Sequence, residues 1–235
     1  MSDIIFNIRL VMNKQIKVSS VIIFVSILAF GISADAGKKT DSPDAVNITA
    51  DIAYVDVRHN GKIVRIEREQ DNDAMIEPDY AQTSRPCPPY CIHAMQIANG
   101  VETIGELELL QYLVRKTKGE EVLVIDSREP EWLLKGMIPG AINIPWTNLY
   151  NKTASNKEIA ETLEFRFGVA KTGDLWNFED AKTLVFYCNG AWCGQSPTNI
   201  RALLAMGYPA HLLKWYRGGM QSWKQFGLTT ITPQK

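Results

Sequence analysis

Two cysteines, Cys188 and Cys193, bracket the segment Asn189-Gly190-Ala191-Trp192 and are followed by Gly194-Gln195-Ser196-Pro197. Cys188 closes a short unbroken apolar run, residues 184–188, which reads as a strand covered on both faces. Ser196 and Pro197 read as a helix start, Ser as N-cap and Pro in the first turn. A thiol at the carboxyl end of a parallel strand lies where open α/β sheets bind ligands. A helix start beside it offers unpaired amides and a positive dipole end. Gly190 and Gly194 are expected to let the loop amides turn toward the sulfur as a nest. The chemistry this predicts is nucleophilic: a thiolate whose pKa lies below the free value of about 8.5. The alternative is an inert, buried strand-end cysteine.

Other residues invite similar scrutiny. Cys87-Pro-Pro-Tyr-Cys91 admits three readings: a disulfide closing a small proline-rich loop, a redox pair exchanging with Cys188 or Cys193, or a metal site short of ligands. The structural disulfide is the expectation. His59, His93 and His211 show no spacing with the cysteines that suggests a metal site, and neither a metal nor another cofactor is expected. Asp126 and Arg128 are tempting as an acid–base pair. Arg217 and Lys214, at and just after the last expected strand, are either cations for a site whose loop, residues 189–196, has no charge, or solvated surface charges.

The elements that position these residues follow from patterning. Asn60-Gly61 between two β-branched runs signals a hairpin in a first module, residues 46–99, after a polar linker at 37–45. Asp71-Asn72-Asp73 and Glu77-Pro78-Asp79 break regular structure, and the prolines of residues 85–91 exclude a helix there. A second module, residues 100–235, alternates strands with helices. Thr103-Ile-Gly-Glu106 reads as a capping box before Leu107, Leu110, Leu113 and Val114 at helical spacing. Strands are expected at residues 122–126, 141–144, 184–188 and 212–216, and helices at 159–167, from Ser196 to Gly207, and at 220–226. That order argues for α/β architecture: an open parallel sheet flanked by helices, preceded by a small module with a β-hairpin.

Four segments in order resemble the rhodanese family over residues 103–228: Val124-Ile-Asp-Ser-Arg-Glu-Pro130, Gly136-Met-Ile-Pro-Gly-Ala-Ile-Asn-Ile-Pro145, Tyr187-Cys188 with its loop, and Arg217-Gly-Gly-Met-Gln-Ser-Trp223. Met137 stands where that family usually has His. The resemblance implies a rhodanese-like fold and an exported sulfurtransferase: Cys188 takes sulfane sulfur from a small donor as a persulfide and yields it to a thiol or cyanide-type acceptor. It also implies that Asn189, Gly190, Ala191, Trp192, Gly194, Gln195 and Ser196 form the substrate-binding loop, with Arg217 near it, and that Asp126 and Arg128 brace the site. Cys193 resembles the second cysteine of a two-cysteine subgroup, able to resolve Cys188 as a disulfide. A phosphatase reading fails because Gly194-Gln-Ser196 offers no Arg to grip phosphate.

Composition sets the remaining bounds. The chain has 235 residues, 46% hydrophobic and 22% charged, with net charge −1. It has no general basic excess for nucleic acid, and four cysteines are too few for a disulfide-built scaffold. Residues 18–32 are uncharged and apolar, preceded by Arg9, Lys14 and Lys17 and followed by Ser33-Ala34-Asp35-Ala36. This describes a signal peptide over residues 1–36 and a periplasmic or secreted location. The alternative is an uncleaved anchor, the only circumstance in which a membrane is a partner. Two further functions stay open: a thiol–disulfide redox protein using Cys188 and Cys193, and a binding module that meets a periplasmic protein through residues 46–99.

Overall fold

The computed structural model describes residues 36–38, 42, 44–173 and 175–233. The signal segment lies outside the described residues except for Ala36. That residue opens β1 (Ala36–Lys38), which pairs antiparallel with β2 (Ile52–His59), so the expected linker begins as an edge strand. β2 and β3 (Lys62–Glu67) form the expected hairpin; Asn60 and Gly61 take φ of 47° and 80°, the two positive values a type I′ turn demands.

Beyond the hairpin comes α1 (Pro78–Ala81), so Pro78 opens a helical turn rather than breaking structure. The chain continues through β4 (Glu102–Ile104), α2 (Glu106–Thr117), β5 (Val122–Asp126), β6 (Ile142–Asn143), α3 (Asn156–Phe165), the small ribbon β7 (Ala170–Thr172) and β8 (Leu175–Asn177), β9 (Thr183–Tyr187), α4 (Gln195–Ala205), β10 (Leu213–Tyr216) and α5 (Gly219–Gln225). Five strands form one all-parallel sheet in the order β4-β10-β9-β5-β6. This is the α/β architecture expected, with helices on both faces.

Two expectations shift. The fifth strand, β4, occupies the residues read as a capping box: Thr103 pairs with Trp215 and its hydroxyl donates to the Met95 carbonyl, so it is not free to cap. α2 starts after Gly105 instead, whose amide donates to the Glu108 carboxylate at 3.0 Å. α4 likewise starts earlier than expected, with Gly194 as N-cap. Ser196 then lies inside the first turn, and its hydroxyl meets Ser127 at 3.3 Å.

Alternation along the central strand splits the core. Val185 and Tyr187 of β9 face a cluster with Leu109, Leu110, Leu113 and Trp223 from α2 and α5. Leu184 and Phe186 face the opposite cluster, with Leu163 from α3 and Ile200 and Leu203 from α4. The hairpin belongs to the first cluster: Val55, Val57 and Ile66 are fully buried. Each such side chain contributes about 1.5–3 kcal/mol relative to exposure, enough to make the hairpin part of the support beneath α2. His59 anchors it further, its Nδ1 accepting from the Gly140 amide at 3.1 Å.

Candidate active site

The thiol loop is held from three sides. β9 ends at Tyr187, whose carbonyl accepts from the Ser127 amide at 2.9 Å. The start of α5 ties the next two residues: the amides of Met220 and Gln221 donate to the carbonyls of Cys188 and Asn189, both at 2.9 Å. Gly219 makes this approach possible. A Cβ there would stand 2.4 Å from the Cys188 carbonyl oxygen and 2.7 Å from the Gly190 nitrogen, and its φ is +57°. The loop closes on itself through the Cys193 amide donating to the Gly190 carbonyl at 2.9 Å.

The Gly190 amide faces the Cys188 sulfur as expected, but the two loop glycines are required for other reasons. Neither takes positive φ. Gly190 is required by crowding, since a Cβ would meet Gln221 Oε1 at 3.0 Å and Trp192 Nε1 at 3.1 Å. Gly194 is the N-cap of α4, and its carbonyl accepts from the Thr198 amide and hydroxyl.

Cys188 is 1% exposed and Cys193 5%. As a thiol, Cys188 donates to the Cys193 carbonyl at 3.3 Å, a contact that favours the neutral form. Burial also pushes its pKa up. Against both stand the Cys193 thiol, the Ser196 hydroxyl and the backbone amides of Ser196 and Gly190, which together bring Cys188 down to about 7. Cys193 moves the other way: burial and then Cys188 itself raise it well above the ordinary thiol value, despite the backbone of Asn189 and Gln195. Near pH 7 Cys188 is therefore about half ionised, and of the two thiols it ionises first. Gln195 Oε1 lies 3.5 Å from the Cys193 sulfur.

Below the loop, Asp126 and Arg128 form a fully buried fork, with Arg128 Nη2 at 2.6 Å and Nε at 2.8 Å from the carboxylate oxygens. Burial alone would lower the arginine's pKa; Asp126 more than offsets it and the guanidinium stays charged. Its other donors go to Tyr80 Oη and the carbonyls of Trp132 and Gly136. With every group committed, the pair braces and has no acid–base work. Ser127, between them, was missed in the sequence: its hydroxyl lies 3.3 Å from the Ser196 hydroxyl and accepts from Asn199 Nδ2 (3.2 Å), holding the start of α4 under the thiol.

Above the loop runs the segment with the second cysteine pair. Cys87 and Cys91 are joined by a disulfide. Tyr90 meets the Trp192 ring edge-on at 5.6 Å, and the Arg85 guanidinium lies 3.9 Å over that ring. Trp192 Nε1 donates to Gln221 Oε1 at 2.8 Å, and Gln221 Nε2 to the Tyr80 carbonyl. The His93 amide donates to the Ala191 carbonyl at 3.0 Å. Arg217 sits beside the loop but spends its donors on the His93 carbonyl, at 2.8 and 3.2 Å. Lys214 does not reach the site: it pairs with Glu102 at 2.8 Å on the neighbouring edge strand. His211 is exposed in a 3-10 turn, Ala210–Leu212. Among the described residues no cluster of His, Cys, Asp and Glu could hold a metal, and no helix is long and apolar enough to cross a membrane.

Sheet, strand-end thiol and helix start together define a class: a parallel α/β domain built around one buried, ionisable cysteine. The family model for the rhodanese-like domain matches residues 109–226, and the chain belongs to that family. Among characterised relatives, the HTH-type transcriptional regulator Rv0324 of Mycobacterium tuberculosis (strain ATCC 25618 / H37Rv) is 31% identical over 116 residues, 49% of this chain and 40% of that protein. The chain thus spans less than half the length of that relative. A thiosulfate sulfurtransferase from Pseudomonas aeruginosa is similar at 18% identity and TM-score 0.39, over 57% of this chain and 21% of that one. A human single-domain sulfurtransferase is similar at 22% identity and TM-score 0.34, over 53% and 96%.

Proposed function

We propose that the protein is an exported sulfurtransferase that carries sulfane sulfur as a persulfide on Cys188. The observation that carries this reading is the set of donors around the Cys188 sulfur, which outweighs full burial and holds the group near half-ionised at neutral pH. The same donors can stabilise a terminal persulfide anion, as an oxyanion hole stabilises oxygen. Transfer then proceeds by two displacements: a small donor gives one sulfur to the thiolate, and a thiol or cyanide-type acceptor removes it. The loop holds no cation, so charge for an anionic donor has to come from neighbours such as Arg217, bound to the His93 carbonyl, or Arg85, over the Trp192 ring. Export rests on the apolar segment 18–32 and its exit sequence, and the Cys87–Cys91 bridge suits an oxidising compartment. The segment carrying that bridge is the face we assign to a periplasmic protein partner.

One observation favours a second reading. Both loop thiols are free and lie close enough for Cys188 to raise the Cys193 pKa, an arrangement that also suits a Cys188–Cys193 disulfide and thiol–disulfide exchange. Turnover with a sulfane donor and a thiol acceptor separates the two. Sulfur transfer predicts that Cys188→Ser is inactive and Cys193→Ser retains part of the rate. A parent protein that moves no sulfur, with thiol–disulfide exchange lost equally in both variants, would establish the redox reading in its place.

A further inference from the structure

A cavity beside α4 plays no part in the reading above. Its volume is about 610 Å³, inside the range of roughly 300–1,000 Å³ common for small-molecule sites. One wall is a face of α4, where Thr198, Arg201, Ala202 and Ala205 stand at i, i+3, i+4 and i+7. The facing walls are Ile159 of α3, Tyr150 after the 3-10 turn Trp146–Asn148, and Trp176 of β8. Among the described residues, none of the thiol loop 189–196 lines this cavity, and neither does any Asp or Glu.

The charge around it has one sign. Arg201 lines the cavity, is exposed, and among the described residues makes no ion pair. The Lys152 ammonium lies 5.9 Å from the centre of the Tyr150 ring, and the Lys171 ammonium 5.4 Å from that of Trp176. Among the described residues neither lysine has a carboxylate partner. Two cations therefore stand over the aromatic rings that wall the cavity, a third belongs to its lining, and no lining acid offsets them. Such a concave, low-dielectric surface with one sign of charge concentrates small ions of the other sign. Of the three cations, the guanidinium is the one whose planar fork matches a carboxylate or sulfonate.

We propose that this cavity binds a small organic anion with a flat apolar body, an aromatic carboxylate or sulfonate. The body lies against Tyr150, Trp176 and Ile159, and Arg201 holds the charged head. Lys152 and Lys171, on the surface, add attraction that salt screens. This site is separate from the thiol and goes beyond the sulfurtransferase reading, on which it does not depend.

The test is calorimetric titration of the full-length protein with naphthalene-2-sulfonate and with naphthalene-2-sulfonamide, which has the same rings and no charge. The expected result is saturable one-to-one binding of the sulfonate and binding of the sulfonamide weaker by about tenfold or more. Arg201→Gln should weaken the sulfonate by about the same factor and leave the sulfonamide unchanged. Ala202→Phe should fill the cavity and abolish binding of both probes, whereas Cys188→Ser should alter neither. Equal affinity for the two probes, sulfonate binding by Arg201→Gln as tight as the parent's, or loss of binding in Cys188→Ser would overturn the assignment. So would a parent protein that binds neither probe; if that protein sediments as a dimer, the face belongs to a second copy of the chain instead.

Discussion

Replacing Ser196 by Ala tests how the thiolate is made. The hydroxyl is one of four donors that bring Cys188 to about 7. A hydrogen bond to a charged group contributes about 1.5–3 kcal/mol, and one pKa unit corresponds to about 1.36 kcal/mol, so its loss should raise Cys188 by roughly 1–2 units. At pH 7 the thiolate fraction would fall from about one half to roughly 1–10%, and alkylation would slow roughly 5–50-fold. The substitution is clean, because Ser127 keeps Asn199 Nδ2 at 3.2 Å and the Ser196 and Gly190 amides stay in place. The assay is the pH profile of Cys188 alkylation, read by peptide mass. The parent should rise through a midpoint near 7 and level off above it; Ser196→Ala should show its midpoint near 8–9, from the same arithmetic, and reach a similar plateau. An unchanged midpoint, or one that moved down, would refute the claim that side-chain donors set this pKa.

Other perturbations bear on the same architecture. Cys193→Ala should also raise the Cys188 midpoint, and Cys193→Ser, which keeps a donor, should raise it less; the same alkylation profile reads both. Asp126→Ala leaves the buried Arg128 charge without its carboxylate and should cost about 3–5 kcal/mol, measured as a lowered urea midpoint. Gly219→Ala places a Cβ against the Cys188 carbonyl oxygen in a left-handed backbone. It should cost about 1–3 kcal/mol in stability and, by displacing the loop, abolish the low Cys188 midpoint.

Much of this was legible because local chemistry dictated it. The Asn60-Gly61 turn, the buried runs at β5 and β9, and the strand–thiol–helix order each follow from residue type and spacing. Cys188 stood out because loop glycines and a helix start follow it directly, although an inert strand-end cysteine is the commoner case. The failures share one cause: contacts between residues distant in sequence. Thr103 resembles a cap until β10 claims it as an edge strand. Ser196 resembles an N-cap until its hydroxyl is placed between Ser127, 69 residues earlier, and the Cys188 sulfur. Gly190 and Gly194 suggested amides turned toward the sulfur, and the Gly190 amide does face it, but Gly190 is small because Gln221 and Trp192 crowd it. Arg217 was expected near substrate but is engaged by His93, whose place over the loop no cysteine spacing could announce. The pair Asp126 and Arg128 was read as bracing, and a completely committed guanidinium explains why.

The central claim is that Cys188 carries sulfur. Intact and peptide mass after exposure of the full chain to thiosulfate or a small-molecule persulfide tests it most directly. The account predicts a gain of one sulfur atom confined to the Cys188 peptide, lost on adding a thiol and absent in Cys188→Ser. A protein that gains no sulfur, gains it on Cys193 instead, or only loses two hydrogens as Cys188 and Cys193 join, would contradict it.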